Sequence, residues 1–129
     1  MIKILLTVFV LLCIVSFDVG AQKKPGKPVV IVGEVVDSQC YLVGAMGSAR
    51  GAEHKECAIS CAKGGIPLSI LEEKTNTLYL TGQNKRSMTT ANVLLMDYVA
   101  ERVKVTGRLV EKAGVKMVLI DKVEKQPLP

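Results

Sequence analysis

From Arg102 to Glu111 apolar and polar residues alternate: Val103, Val105, Gly107 and Leu109 fall on one face, Lys104, Thr106 and Arg108 on the other. A period of two is the pattern of a half-buried strand and gives a helix no continuous apolar stripe. Ala113-Gly114 supplies a turn. Val115 to Val123 then reads as the returning strand, with Val115, Met117 and Leu119 opposite Lys116 and Val118.

Three further strands precede this hairpin. Val29 to Asp37 is valine-rich and interrupted by Gly33, and a glycine inside a strand marks a bulge or sharp bend. Leu68 to Glu72 and Thr77 to Thr81 are short strands joined by a polar turn at Lys74 to Asn76. Ser38 to Gly51 carries Gly44, Gly47 and Gly51 and reads as a loop. Ala52 to Lys63 reads as a helix stopped by Gly64, with Gly65 and Pro67 behind it. Ser87 to Asp97 reads as a second, short helix capped by Thr89-Thr90. The order predicts a mostly β fold: a five-stranded Greek-key barrel of the oligonucleotide/oligosaccharide-binding (OB) type. One helix is inserted after strand 1 and a short one lies between strands 3 and 4. Closure hides sheet edges that an exported protein cannot leave exposed.

Export is read from the start of the chain. Lys3 is positive, Ile4 to Phe17 is apolar except for Thr7 and Ser16, and Val19-Gly20-Ala21 offers small or modest side chains. Charge, apolar core and cleavage site in that order make a secretory signal peptide. The apolar run, about fourteen residues, falls short of the roughly twenty that span a bilayer. Leu12 stands where a lipoprotein signal would put a small residue, so Cys13 is left out of the chemistry. The expected organisation is a signal peptide over 1–21, a flexible leader over 22–28 and one OB-like domain over 29–125. The mature chain has no membrane span and works in the periplasm or outside the cell.

The net charge of +5 is scattered, with Lys23, Lys24 and Lys27 the only local cluster, and the chain holds no Trp, three Tyr and two Phe. Binding of single-stranded nucleic acid wants several aromatics on one face, so no specific nucleic acid is expected. A protein, glycan or polyanion on the barrel face remains open as a partner.

Chemistry concentrates in Cys40, His54, Cys57 and Cys61. His54, Cys57 and Cys61 stand at i, i+3 and i+7, within roughly 80° of one another around a helix. Where an ordinary buried face carries Leu or Ile, this one carries His, Cys, Ala58 and Cys. Three readings compete. In one, Cys40 joins the three to make a Cys3His metal site, zinc first, with copper as runner-up because thiolates suit Cu(I) and Met46 is near in sequence. With all four positions filled by protein, that metal would be structural or carried, not catalytic. In another, Cys40 forms a disulfide with Cys57 or Cys61, as oxidising compartments favour. Cys57 and Cys61 are poorly spaced to pair with each other on a helix. In the last, the cysteines are small core residues and His54 a satisfied or surface histidine.

No C-x-x-C and no C-x-x-C-H are present, which removes thioredoxin-like work and covalent haem. A thiol-dependent redox protein would use the spare cysteine beside His54, the only histidine, but lacks a third orienting group. No catalytic residue is assigned. Glu34 and Asp37 could act as outer acceptors for His54, although a solvated strand end is the ordinary reading of both.

The pattern Gly33-x-x-x-Asp37-x-x-Cys40, Gly47, His54-x-x-Cys57-Ala58-x-x-Cys61, Gly65-x-Pro67 and Leu78-Tyr79-Leu80 resembles a group of small exported bacterial proteins with a barrel of this kind. The resemblance covers roughly residues 30 to 123. It implies the fold, an exported location and a Cys/His cluster that belongs together. It implies no reaction.

Overall fold

A computed structural model describes residues 25–45, 47–85 and 87–129. The signal-peptide segment, Cys13, Lys23, Lys24 and Met46 lie outside them. Five strands close into a barrel in the order β1-β2-β3-β5-β4, with β1 Lys27–Asp37, β2 Leu68–Glu72, β3 Leu78–Gln83, β4 Arg102–Lys112 and β5 Val115–Lys125. All neighbours are antiparallel except β3 and β5, which run parallel. This is the mostly β, OB-type barrel that the strand order predicted.

β1 is the long strand that makes closure work. Its first part pairs with β4 and its last part with β2, and Gly33 and Glu34 pair with both. Gly33 marks a close approach of backbones rather than the expected bulge. A Cβ there would sit 2.2 Å from the Leu71 carbonyl oxygen. The register shift lies elsewhere, between Thr106 and Gly107 of β4. The strand starts at Lys27, inside the segment read as leader.

Valines and isoleucines line the interior: Ile31, Val35, Ile70, Val103, Val105 and Val118 are all fully buried. β4 faces inward as its alternation predicts. β5 does not. Val118 and Ile120 point in, Val115 is exposed, and Met117 and Leu119 are half-buried. The stretch from Met117 to Ile120 is apolar in both phases, so alternation alone cannot choose. Pairing across the Ala113-Gly114 turn chooses, since it sets Lys112 against Val115 and Leu109 against Val118. Both turn residues have positive φ (53° and 79°), as a tight two-residue hairpin requires.

Two helices, not one, fill the connection after β1: α1 Ser38–Val43 and α2 Lys55–Lys63, the latter entered through a 3-10 turn at Ala52–His54. The expected loop over 38–51 is therefore helical in its first half. The glycine count misleads here, because Gly44 is the left-handed stop of α1 (φ 67°) and Ser38 to Val43 holds no glycine. The second predicted helix starts later than expected. It comprises α3 Asn92–Leu95 and a 3-10 turn at Met96–Tyr98. Thr90 Oγ1 accepts from Asn92 N (3.3 Å) at the start of α3, and the Gln83 side chain holds the approach, its Nε2 donating to the Thr89 and Thr90 carbonyls and to Thr89 Oγ1.

Asn92 fastens α3 to the rest. It is buried, its Oδ1 accepts from Leu68 N (2.8 Å), and its Nδ2 donates to the carbonyls of Ala62 (3.2 Å) and Ile66 (2.8 Å). Among the described residues no helix is long and apolar enough to cross a membrane.

Candidate metal centre

The site is built where β1 ends. Asp37 is fully buried and caps α1: its Oδ1 accepts from Gln39 N (2.8 Å) and Cys40 N (3.1 Å). Ser38 fixes the same corner, with N and Oγ both donating to the Pro67 carbonyl (3.1 and 2.8 Å). Cys40 is thereby held one turn into a short, doubly anchored helix. Neither Asp37 nor this corner is the solvated strand end that the sequence suggested.

His54 arrives from the other side. Glu34 Oε1 accepts from Gly51 N (2.6 Å) and Oε2 from Arg50 Nε (3.0 Å), and His54 N then donates to the Gly51 carbonyl (3.1 Å). Glu34 thus positions the turn that carries His54 and makes no bond to the imidazole. Lys55 Nζ meets Glu101 Oε1 at 3.0 Å and holds the start of α2 against the barrel. On α2 the buried line is His54, Ala58 and Ala62, with Cys57 and Cys61 half-buried beside it.

The chemistry-bearing side chains gather as two triads that share Cys40. In one, the ligand atoms of Cys40, His54 and Cys57 lie within 4.8 Å of one another; in the other, those of Asp37, Cys40 and Cys61 do. The predicted residues therefore come together around Cys40, while Cys61 sits with Asp37 rather than closing a four-residue set with His54 and Cys57. The reason is axial. His54 and Cys61 share a helix direction but stand seven residues apart, roughly 10 Å along an axis that rises 1.5 Å per residue. Cys40 lies between them.

Each triad contains a buried polar atom with no hydrogen-bond partner: Nε2 of His54 in the first, Oδ2 of Asp37 in the second. His54 is only 6% exposed and Asp37 0%. An orphaned polar atom at such burial costs about 1–3 kcal/mol, more if charged. A cation beside each would remove the cost. Tetrahedral Zn–S bonds of about 2.3 Å set neighbouring ligand atoms near about 3.8 Å apart, within the spacing the triads allow.

Without a cation the site favours protonated thiols. Cys61 is pushed up to about 12, first by donation toward the Asp37 carboxylate, then by burial and by the charge of Asp37. Cys40 is raised by burial first, then by Asp37. By hydrogen-bond geometry Oδ2 of Asp37 still has no partner. A bound metal reverses this preference, since it takes thiolate and expels the proton.

Cys40, Cys57 and Cys61 are free thiols. A pocket of about 290 Å³ opens beside the first triad, lined by Gly47, Ser48, Arg50, Glu53, His54 and Cys57. A larger cleft of about 460 Å³ includes Glu34, Lys55, Glu73, Glu101 and Arg102. Its charges are spent on ion pairs, among them Arg102 with Glu73 and Lys55 with Glu101.

Asp37 is the site residue whose role the sequence did not reveal. A capping signal was present, since Asp directly precedes a glycine-free stretch, but the glycines downstream obscured it. No protein-family model matches the chain, and no curated protein or solved structure matches it either.

Proposed function

We propose that this is an exported, non-catalytic domain of the small OB-type kind that carries a transition-metal ion, zinc first and Cu(I) as the alternative. Cys40, His54 and Cys57 hold the ion. The observation that carries the reading is the buried His54, whose Nε2 has no partner and which brings a ring nitrogen within 4.8 Å of two thiols. Thiolate and imidazole together suit zinc, and thiolates suit Cu(I).

A closed four-residue set locks a structural ion, whereas a three-residue set leaves a position for an incoming ligand. Here the three side chains come from two short helices and the 3-10 turn between them, outside the barrel and beside an open pocket. That arrangement favours an ion that is received and handed on. At about 290 Å³ the pocket matches only the smallest of small-molecule sites, which start at roughly 300 Å³, and this limits a catalytic reading to small substrates. A thiol-based reaction at Cys40 or Cys61 is disfavoured, because both thiols are raised and thus poorly nucleophilic at neutral pH.

Intact mass under native and denaturing conditions tests this directly. The expected result is zinc retained only under native conditions by a fully reduced chain, with affinity falling more than roughly 100-fold in His54→Ala, beyond what loss of an outer partner costs. A chain about 2 Da light in the denatured state, indifferent to zinc, would establish the disulfide-stapled module instead.

A further inference from the structure

We propose that Cys40 is a bridging thiolate and that the site takes two metal ions, one with His54 and Cys57 and a second with Asp37 and Cys61. The inference rests on the metal-binding reading above and extends it to a second site.

Three observations lead there. The two triads are separate in their outer members and joined only at Cys40, whose sulfur lies within 4.8 Å of all four partners' ligand atoms. A single ion beside His54 and Cys57 leaves the Asp37 and Cys61 side unfilled. Each triad also holds its own orphan: His54 Nε2 and Asp37 Oδ2 are both buried and both without a partner. One ion satisfies one orphan. The other, a carboxylate oxygen on a 0% exposed residue, remains in a setting where an uncompensated charge is costly.

Charge completes the argument. Asp37 with the thiolates of Cys40, Cys57 and Cys61 carries four negative charges, and His54 is neutral as a ligand. Two divalent ions balance that set. Buried charge is tolerated when it is paired or coordinated to metal. Thiolate sulfur has lone pairs for two metals, and Cys40 is the residue placed to use them. No electron transfer is involved; each thiol that binds releases one proton to solvent.

The ligand chemistry is therefore a pair of thiophilic divalent cations, and Zn2+ alone serves as the probe. The test is zinc stoichiometry of the protein expressed from the full sequence, reduced and metal-free at the start, read by native mass and by competition with a chromophoric chelator. Cys13→Ser forms the common background, so that an uncleaved leader adds no thiolate. The expected result is two equivalents in that background, and one each in Cys61→Ala and Asp37→Asn. Asparagine keeps an acceptor for Gln39 N and Cys40 N, so a loss in D37N reflects the missing carboxylate rather than a broken cap. Cys40→Ala should lose both. One equivalent in the background protein, unchanged in C61A and D37N, overturns the second site and leaves the first standing. Two equivalents that persist in both variants place the second ion elsewhere and also overturn it. No zinc at all overturns the underlying reading as well.

Discussion

Asp37 carries two functions on two oxygens. Oδ1 holds the first turn of α1, and Oδ2 is buried with no partner. Substitutions separate them. In zinc-free protein Asp37→Ala should be less stable than Asp37→Asn by about 1 kcal/mol, the worth of an N-cap, read from urea midpoints. Equal midpoints would mean that the cap is not what Oδ1 supplies. At this scale the sequence was partly legible. His54, Cys57 and Cys61 could be placed on one side of a helix from their spacing alone. Angles around a helix, however, ignore distance along it, which is why Cys61 looked like a member of one four-residue set with His54 and Cys57. The burial of Asp37 was hidden because it depends on Ser38 bonding to Pro67, a contact between residues that lie far apart in the chain.

At the level of elements, the short helices depend on side-chain anchors more than on propensity. α3 has four residues and no side-chain cap, far below the length at which a helix persists in water. Asn92 compensates by bonding three backbone groups of the α2–β2 junction. Asn92→Leu leaves those groups buried without partners. It should cost about 2–4 kcal/mol and lower the melting temperature by about 10 °C or more for a domain of this size. Zinc stoichiometry should be unchanged, because no ligand moves. A variant that melts like the parent would show that water replaces the amide. Nothing in the sequence marks Asn92, which falls inside the helix read over Ser87 to Asp97 as one more polar residue. β5 shows a related limit: its run of apolar residues satisfies both faces, and only cross-strand register decides between them.

For the whole molecule, the barrel was legible because its signals are local and redundant: alternation in β4, a tight turn before β5, and valine-rich β1. What was not legible is how the insertion that carries the Cys/His cluster is fastened to it. Glu101 performs that fastening from just before β4, meeting Lys55 at the start of α2 and Lys125 at the end of β5, both at 3.0 Å. Its carboxyl is held below the ordinary range, by the hydrogen bond from Lys55 first and then by Lys125. A depressed carboxylate contributes stability that is present above its unfolded value, near about 4.3, and lost as pH falls through the lower folded value. The side chain is 28% exposed, so water screens the pairs and the contribution at neutral pH should stay within about 1 kcal/mol. Urea unfolding of metal-free parent and Glu101→Gln, with chelator and reductant present, should show a gap of that size at pH 7 and pH 5. The gap should close as pH drops below about 4. Comparing the two proteins cancels every other group that titrates in the same range. A gap that persists in acid would mean that Glu101 acts through packing rather than charge, and that α2 is held to the barrel by Ala58 and Ala62 in the core rather than by the Lys55 pair.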